Sequence, residues 1–562
     1  MQSNNRPRRP MALFIIFSLT LIGLATLSDR VTQPAFGQTG PLARRPIAGQ
    51  TVAALPAYSP STSVTPGSLG AALNCRYGVS APSSTRPWLP VIGAGWHVNF
   101  TQTGNFFDGS EFVRFVHTYQ NKDGQGNYLP GYTLSRDGSF NQNTLRGTVN
   151  AAPGSLWFIG NEVERIGQDE IFPETYAQAY HEIYHLIKEE DPTASVGIAP
   201  LVQITPNRLD YLEKVWDAYA HSYNQAMPVD VWNAHIYILP EVLPSGAPNG
   251  IASVAMGTTD FSQVIYESDN NAANCGNPND NIYCWAEHDN MQIFAKQVTT
   301  MRQWMKDHGQ QNKPLVISEF GILYPNEWEP GNPGAGCFQD EFGNCFTPAR
   351  TNSFMHNAFT YMETTSSTSL GFPADNNRLV QQWLWFSLYS SYVGRASNLL
   401  LDNYYTGFTP GDPAALSPMG QTYRAEVATR GTPMPNLYLE KAVGAVGFMP
   451  VPGSVTVDLV AKIRNSGNAR SVQPVTVTFY RDAALTQPIA SAPLGPLTVG
   501  CSAFQYEARV SWTLTTPGRY RYWVKVDTGN VLAESNENDN VQQGVVLVNP
   551  YQTFVPILPV NR

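Results

Sequence analysis

Two short stretches, Leu156–Glu162 (LWFIGNE) and Leu315–Gly321 (LVISEFG), decide the fold of this chain. Each opens with a run of apolar residues, most of them branched or aromatic, and carries a glutamate directly after that run. An unbroken apolar run of about 4–8 residues is typical of a strand that is buried on both faces. Both stretches therefore predict parallel strands that end in a carboxylate.

Similar runs alternate with amphipathic helices between residues 88 and 432. Further strands are predicted at 91–96, 195–199, 229–235 and 379–388. Helices are predicted from Pro173 to the Asp191-Pro192 stop, over 209–219, and over 293–305 with Gly309 as the end. This alternation implies an α/β domain with a parallel sheet, either open or closed into a barrel. No GxGxxG or GxxxxGK[ST] loop follows an early strand, which disfavours an open nucleotide-binding sheet.

The pattern changes after Pro435. Residues 455–460, 475–480 and 520–526 are β-branched or aromatic runs between turn-rich stretches, and no helical stripe accompanies them. This pattern predicts an all-β, immunoglobulin-like sandwich over 436–548, followed by an apolar tail over 549–562. We expect the sandwich to form its own core and to contribute attachment or positioning, so that its removal leaves turnover largely intact.

The N-terminus predicts export from the cytoplasm. Within residues 1–30, Arg6, Arg8 and Arg9 precede the apolar run 11–27. This pattern is typical of a signal peptide, and the length of the run leaves a membrane tether through residues 11–27 equally open. Residues 31–87 are rich in Pro, Ser and Thr and predict a linker. Both outcomes predict a secreted or cell-surface protein.

Cysteines and charge narrow the class of protein further. Six cysteines fit an exported chain, and the pairs Cys275/Cys284 and Cys337/Cys345 predict two short-loop disulfides. Cys75 and Cys501 have no evident partners. A net charge of −9 argues against nucleic acid as a partner. No cluster of metal ligands and no cofactor motif is evident, and the oligomeric state is not indicated.

Glu162 and Glu319 are the candidate catalytic residues. The carboxyl ends of barrel strands meet at one face, where two glutamates can flank a glycosidic bond. One must protonate the leaving oxygen and the other must attack or stabilise the anomeric carbon. Either glutamate alone could be a surface or ion-paired residue, but the strand-end position of both favours catalysis.

These stretches resemble a known family. Trp157–Glu162 is similar to the fourth-strand motif of clan A retaining glycoside hydrolases, and Leu315–Gly321 is similar to the seventh-strand motif. The resemblance implies a (β/α)8 TIM barrel over 88–432 with Glu162 as general acid/base and Glu319 as nucleophile. It also implies that Asn161 hydrogen-bonds a sugar hydroxyl.

Two other segments extend this resemblance. His235-Ile236-Tyr237 is similar to the sixth-strand position, which implies that His235 lines the site and that Tyr237 steadies Glu319. With that hydrogen bond, Glu319 is expected to be the anion at rest, and its charge to keep Glu162 protonated. Trp383-Leu384-Trp385 resembles the eighth strand that floors the sugar subsite.

Each of these side chains also has a structural interpretation. His235 and Tyr237 could be ordinary core residues. Trp383 and Trp385 share parity, so both point into the barrel or both point away from it. Glu164 is expected to be a loop salt-bridge partner. Arg114 and His117, which follow an early apolar run, could line the site.

The C-terminal segment resembles the CARDB-type adhesion domains. The turn Asn465–Asn468 (NSGN) and the closing stretch Glu534–Asn540 (ESNENDN) carry this similarity. The clustered Asn, Glu and Asp could bind calcium or form a polar turn, and we favour the turn.

The sequence therefore predicts an extracytoplasmic retaining glycosidase with a carbohydrate substrate. The alternative is a non-catalytic surface protein that binds or adheres to glycans, although a pure binder has no need for both glutamates. A metal hydrolase would need clustered His and Asp ligands, and a serine hydrolase would need a GxSxG elbow that the sequence lacks.

Overall fold

The computed structural model describes residues 73–243, 254–266, 270–327, 336–391, 394–449, 453–471, 473–495, 501 and 506–549. The predicted leader with its apolar run, the linker up to residue 72 and the tail from residue 550 lie outside these residues. Within the described part of the chain, no helix combines the length and apolar character needed to cross a bilayer.

The first domain contains strands and helices in alternation. Its strands are β1 (Asn74–Ser80), β2 (Ala94–Val98), β3 (Glu111–Phe112), β4 (Arg114–Val116), β5 (Tyr119–Lys122), β6 (Tyr128–Thr133), β7 (Leu156–Ile159), β8 (Ser195–Ile198), β9 (Trp232–His235), β10 (Val242–Leu243), β11 (Ile265–Tyr266), β12 (Leu315–Phe320) and β13 (Gln382–Trp385). Its helices are α1 (Leu89–Ile92), α2 (Gln142–Asn150), α3 (Pro173–Glu190), α4 (Pro206–Tyr223), α5 (Met291–Asp307), α6 (Pro348–Thr364), α7 (Tyr404–Gly407) and α8 (Pro418–Thr429).

The parallel strands of this domain pair in a ring. One sheet runs in the order β3-β2-β1-β13-β12-β9, and a second sheet joins β4, β7 and β8. A parallel bridge between Gly197 and Val231 connects β8 to β9. The Val113 N–H donates to the His97 carbonyl at 3.0 Å. This hydrogen bond joins β2 to the segment that holds β3 and β4. The pairings thus return to the strand from which they start.

Side chains alternate between the inside and the outside of this strand ring. Leu156 and Phe158 pack with Val316 and Leu384 in an inner cluster, whereas Trp157 belongs to the larger core between strands and helices. Glycine makes room inside the ring, because a Cβ on Gly78 would lie 2.3 Å from the Trp96 ring. The inner cluster therefore fills the ring and leaves only its ends for a site.

The second domain is a two-layered β-sandwich with its own hydrophobic core. Its strands are β14 (Leu437–Val443), β15 (Ala445–Gly447), β16 (Val455–Asn465), β17 (Val475–Tyr480), β18 (Pro488–Leu494), β19 (Tyr506–Leu514), β20 (Gly518–Lys525) and β21 (Val541–Val548). One sheet has the order β14-β16-β19 and the other β15-β21-β20-β17-β18. The strands predicted at 455–460, 475–480 and 520–526 overlap β16, β17 and β20.

Two boundaries of the first domain differ from those predicted. Strand β1 lies inside the stretch 31–87 that was predicted as a linker, so the ordered domain begins before residue 88. The strand predicted at 91–96 is instead the short helix α1 followed by β2. Pro90 suits the first turn of that helix, and Gly93, in the left-handed conformation at φ 77°, ends it.

All six cysteines form disulfides. Cys275–Cys284 and Cys337–Cys345 are the two predicted short-loop pairs. Cys75–Cys501, which the sequence did not predict, joins β1 to the sandwich. Three disulfides are typical of a protein outside the cytoplasm.

Candidate active site

Glu162 lies on a sharp elbow directly after β7. Gly160 at φ 90° precedes it, and Glu162 itself adopts φ 47°, which is uncommon for a residue with a side chain. The Glu162 N–H donates to the Pro200 carbonyl at 3.1 Å. A Cβ on Gly160 would lie 2.4 Å from the Val163 side chain, so the elbow requires glycine there. The elbow turns Glu162 away from the strand direction, and it is almost completely buried.

Glu319 lies near the end of β12, where the register of the sheet shifts. Its pairing with β9 slips between Ile317 and Glu319. Such a bulge re-aims a side chain that strict alternation would direct elsewhere. Tyr237 donates a hydrogen bond from its hydroxyl to Glu319 Oε2 at 2.8 Å, which is the contact predicted for this pair.

His235 lies between the two glutamates. Its Nδ1 is 3.0 Å from Glu162 Oε1 and 3.8 Å from Glu319 Oε2. An oxygen of Glu162, a nitrogen of His235 and an oxygen of Glu319 all lie within 4.8 Å of one another. The fold thus brings together Glu162, Glu319, His235 and Tyr237, four of the predicted site residues.

The strand numbering also follows the resemblance. When β3 and β4 are counted as one segment of the ring, β7 is the fourth strand, β9 the sixth and β12 the seventh. Glu162, His235 and Glu319 occupy the carboxyl ends of these strands. This is the face on which the βα loops of a parallel barrel build a site.

Asn161 lies beside Glu162. Its backbone N–H donates to Asp169 Oδ2 at 2.8 Å. Its side-chain Oδ1 is buried and has no hydrogen-bond partner among the described residues. A buried acceptor without a partner is costly unless a ligand or water satisfies it, so Asn161 can accept a hydrogen bond from a ligand hydroxyl.

Arg165 is a site residue that sequence reasoning missed. Its Nη1 forms an ion pair with Glu162 Oε2 at 2.9 Å. The one sequence feature that pointed to Arg165 was its position three residues after Glu162. An arginine at that spacing is common in turns and does not by itself indicate a site residue. Its positive charge opposes a metal ion at the Glu162–His235–Glu319 cluster, although the spacing of that cluster would suit one. In the other group with metal-ligand spacing among the described residues, both cysteines are disulfide-bonded.

The two carboxyls have opposite pKa shifts. Burial alone would raise the pKa of Glu162, but the Arg165 guanidinium and His235 lower it to about 2. Burial raises the pKa of Glu319 to about 7, and the charge of Glu162 adds to this while His235 opposes it. These shifts run against the expectation that Glu319 is the anion and Glu162 the protonated acid at rest, which did not include Arg165.

The two tryptophans of the eighth strand lie in the core outside the strand ring. Trp383 and Trp385 are fully buried in the core between strands and helices. The Trp385 ring packs against Phe354 and Phe359 of α6 at centroid distances of 6.3 Å. The assignment of both as the sugar-subsite floor is thus not supported by their position. The prediction that both side chains point to the same side of the strand is confirmed, since both point away from the interior of the strand ring.

Phe386 has the opposite parity. It lies two residues after Leu384, whose side chain points into the strand ring. The aromatic ring of Phe386 lies 6.3 Å from that of Phe100. Phe100 in turn packs on Phe115 of the inner cluster. Phe386 and Phe100 therefore supply the aromatic surface at the end of the ring interior, and the alternation along β13 was the signal for it.

The remaining candidates lie around the site. Glu164, in the turn region after β7, forms a buried ion pair with Arg208 at 2.8 Å, as predicted. Arg114 donates to the Gln102 and Gly104 carbonyls and so fixes a loop. His117 contacts Asp169 at 2.7 Å, next to the elbow.

The acidic stretch of the sandwich forms backbone contacts. Glu534 accepts a hydrogen bond from the Leu437 N–H, and Asp527 accepts two from Val531 and Leu532. Burial raises the pKa of Glu534 to about 7, although the Leu437 N–H opposes this. The polar turn favoured from the sequence stays a prediction.

Known proteins resemble both domains. No curated protein matches the chain in sequence. The chain is similar to a GH128 (subgroup II) endo-β-1,3-glucanase from Sorangium cellulosum, with 15% identity, a TM-score of 0.36 and coverage of 63% of this chain and 98% of that chain. A GH128 (subgroup I) endo-β-1,3-glucanase from Amycolatopsis mediterranei, in complex with laminaritriose, has 15% identity, a TM-score of 0.35 and coverage of 63% and 99%.

The sandwich has a match of its own. The CARDB domain of a Pyrococcus furiosus protein, in complex with di-metal ions, has 26% identity, a TM-score of 0.16 and coverage of 21% of this chain and 96% of that chain. The CARDB family model matches residues 443–544, and this segment of the chain is a CARDB domain.

Proposed function

We propose that the chain is an extracytoplasmic retaining glycosidase, built on a (β/α)8 barrel, that hydrolyses O-glycosidic bonds of an oligo- or polysaccharide. The observation that carries this proposal is the spacing of the two glutamates at the carboxyl end of the strand ring. An oxygen of Glu162 and an oxygen of Glu319 lie within 4.8 Å of each other, with His235 beside both.

This spacing supports double displacement rather than inversion. Retaining enzymes place their two carboxyls about 5–5.5 Å apart, whereas inverting enzymes leave about 6.5–9.5 Å for a water molecule. The short separation leaves room for the anomeric carbon but not for a sugar and an attacking water together. We therefore propose that Glu319 attacks that carbon directly.

The proposed reaction has two steps. Glu319 attacks the anomeric carbon while the bond to the leaving oxygen breaks and Glu162 gives that oxygen its proton. Glu162 then takes a proton from water, whose oxygen attacks the same carbon and releases Glu319. Two inversions give a product with the original anomeric configuration.

The proton that the first step needs must reach Glu162. The pKa shifts favour the proton on Glu319 over Glu162 at rest. We infer that His235, whose Nδ1 lies 3.0 Å from Glu162 and 3.8 Å from Glu319, passes the proton across once Glu319 moves within hydrogen-bond distance of it. A sugar that separates Arg165 from Glu162 would favour the same transfer, because it removes the charge that holds Glu162 ionised.

The surrounding residues suit a sugar ring. Asn161 Oδ1 offers an unpaired acceptor for a hydroxyl, and Phe386 with Phe100 offers an apolar face. The three disulfides support a location outside the cytoplasm.

The test is turnover of the purified full chain on a polysaccharide panel that includes β-1,3-glucan, with product configuration followed by proton NMR. We expect cleavage with retention, and near-complete loss of it in Glu162→Ala and Glu319→Ala. Glu189→Ala, at an exposed residue of α3, is the matched control and should keep full activity. Glycan binding without cleavage anywhere in the panel would support the non-catalytic alternative instead.

A further inference from the structure

The two ring nitrogens of His117 both face hydrogen-bond acceptors. Nδ1 lies 2.7 Å from Asp169 Oδ1, and Nε2 lies 2.7 Å from the Phe100 carbonyl oxygen. A carbonyl oxygen accepts only, and a neutral imidazole carries a single N–H. Both contacts are satisfied together only when both nitrogens are protonated, which makes His117 an imidazolium.

Asp169 behaves as a carboxylate in this arrangement. Its other oxygen, Oδ2, accepts hydrogen bonds from the Thr118 N–H at 3.1 Å and the Asn161 N–H at 2.8 Å. Asp169 is 1% exposed. Among the described residues, His117 is its one ion-pair partner, because the nearby cations Lys122 and Arg136 pair with Glu170.

The Asn161 N–H belongs to the elbow that carries Glu162. Gly160 and Glu162, on either side of Asn161, both have positive φ. A side chain at such a φ is strained and persists only when its surroundings hold it. The chain of contacts from the Phe100 carbonyl through His117 and Asp169 to Asn161 is one of these supports.

We propose that His117 acts as a positioning residue: as an imidazolium it holds Asp169, and Asp169 holds the elbow that aims Glu162 at the glycosidic oxygen. This inference rests on the proposed function for its reaction, while the protonation of His117 is independent of it. His117 touches neither glutamate, so it acts on the reaction only through the elbow.

The charges that face His117 favour the protonated ring. Burial alone would lower the pKa of His117, but the Asp169 carboxylate beside it raises that pKa above its ordinary value, against a smaller opposing effect of Arg136. Tyr119 stacks on the ring at 5.7 Å, and burial raises its own pKa, so it stays neutral. The support is thus present below the pKa of His117 and is lost as the pH rises through it.

The consequence is a separation between binding and turnover. A tilted elbow misaligns the proton donor but leaves most sugar contacts in place. A misplacement of about 1 Å in a catalytic group costs up to about 100-fold in rate. His117→Asn should therefore lower kcat by up to that factor with little change in KM.

The experiment combines kinetics with nitrogen-15 NMR of histidine-labelled full chain, in which His117→Gln assigns the signal. We expect the His117 resonances of the wild type to show two protonated nitrogens at the pH of maximal activity. His117→Asn and Asp169→Asn should each lower kcat, and the double variant should be no worse than the poorer single one. The alkaline loss of kcat due to His117 should be absent in His117→Asn. His356→Asn, at an exposed histidine on α6, is the control and should match the wild type.

Distinct outcomes overturn the two proposals. A neutral His117 ring in the wild-type spectrum, or wild-type kcat in a folded His117→Asn variant, overturns the positioning role. If the wild type cleaves no glycan, the proposed function fails, and the NMR measurement still decides the protonation of His117. If His117→Asn does not fold, the spectrum and Asp169→Asn decide instead.

Discussion

The guanidinium of Arg165 lies 2.9 Å from Glu162 and is a cationic neighbour in a site otherwise made of two acids, a histidine and a tyrosine. It lowers the pKa of Glu162 and, more weakly, that of Glu319. A favourable charge at this distance stabilises the ionised form of each carboxyl. The pH dependence of catalysis should therefore depend on Arg165.

The proton that the first step needs rests on Glu319, whose pKa is about 7, so kcat/KM of the wild type should fall as the pH rises through about 7, where the carboxyl pair loses that proton. Arg165→Gln removes the positive charge and should raise both carboxyl pKa values, which moves both limbs of the pH profile to higher pH. Arg146→Gln, at an exposed ion pair on α2, is the matched control and should leave the profile in place. A profile unchanged in Arg165→Gln would contradict the assigned effect.

The two glutamates should respond differently to replacement. Glu319→Ala should leave a gap that azide fills, giving a glycosyl azide of inverted configuration, because only one displacement remains. Glu162→Ala should hurt substrates with poor leaving groups far more than activated aryl glycosides, which need little protonation. Any azide rescue of Glu162→Ala should retain the original configuration. Proton NMR of the products distinguishes the two patterns, and exchanged patterns would mean exchanged roles.

At the scale of elements, alternation along β13 separates a core residue from a cleft residue. Trp385 packs against α6, so Trp385→Ala should cost about 3–5 kcal/mol of unfolding free energy through the cavity it leaves. Phe386→Ala should change stability less and raise KM, since Phe386 lies at the open end of the ring. Chemical denaturation and steady-state kinetics on both variants measure this. A raised KM without a loss of stability in Trp385→Ala would instead indicate that Trp385 belongs to the sugar subsite.

At the scale of the whole molecule, the sandwich is fastened to the first strand of the ring. Cys75 is disulfide-bonded to Cys501, and the Cys75 N–H donates to the Asn468 carbonyl at 3.0 Å. Arg76, in a buried ion pair with Asp375, also donates to the Ser466 carbonyl at 3.2 Å. The turn Asn465–Asn468, which carries the CARDB resemblance, thus contacts β1.

This attachment changes what removal of the sandwich should do. The sequence predicted that truncation after Pro435 leaves turnover largely intact, but truncation also strips β1 of these contacts. A native disulfide typically contributes about 2–4 kcal/mol. The Cys75→Ser/Cys501→Ser double variant should therefore have a lower Tm with unchanged kcat at moderate temperature. Differential scanning calorimetry measures the Tm of both proteins. If the wild type keeps its activity at high temperature even after its disulfides are reduced, the stabilising role of this disulfide is contradicted.

The sequence by itself determined the alternation of strands and helices, the separate C-terminal sandwich, and the positions of Glu162, His235, Tyr237 and Glu319. These features are local, because a strand's period, a helix stop and a strand-end carboxylate are all written within a few neighbouring residues. The two short-loop disulfides were predictable for the same reason.

Only the tertiary structure decided the rest. The ion pair of Arg165 with Glu162, the outward direction of Trp383 and Trp385, and the Cys75–Cys501 pairing depend on which distant segments meet. Strand β1 was missed because its short mixed run is recognisable as a strand only once β2 and β13 pair with it. The order of the two glutamate pKa values follows from the same fact, since burial and neighbouring charge are properties of the packed site and not of either motif.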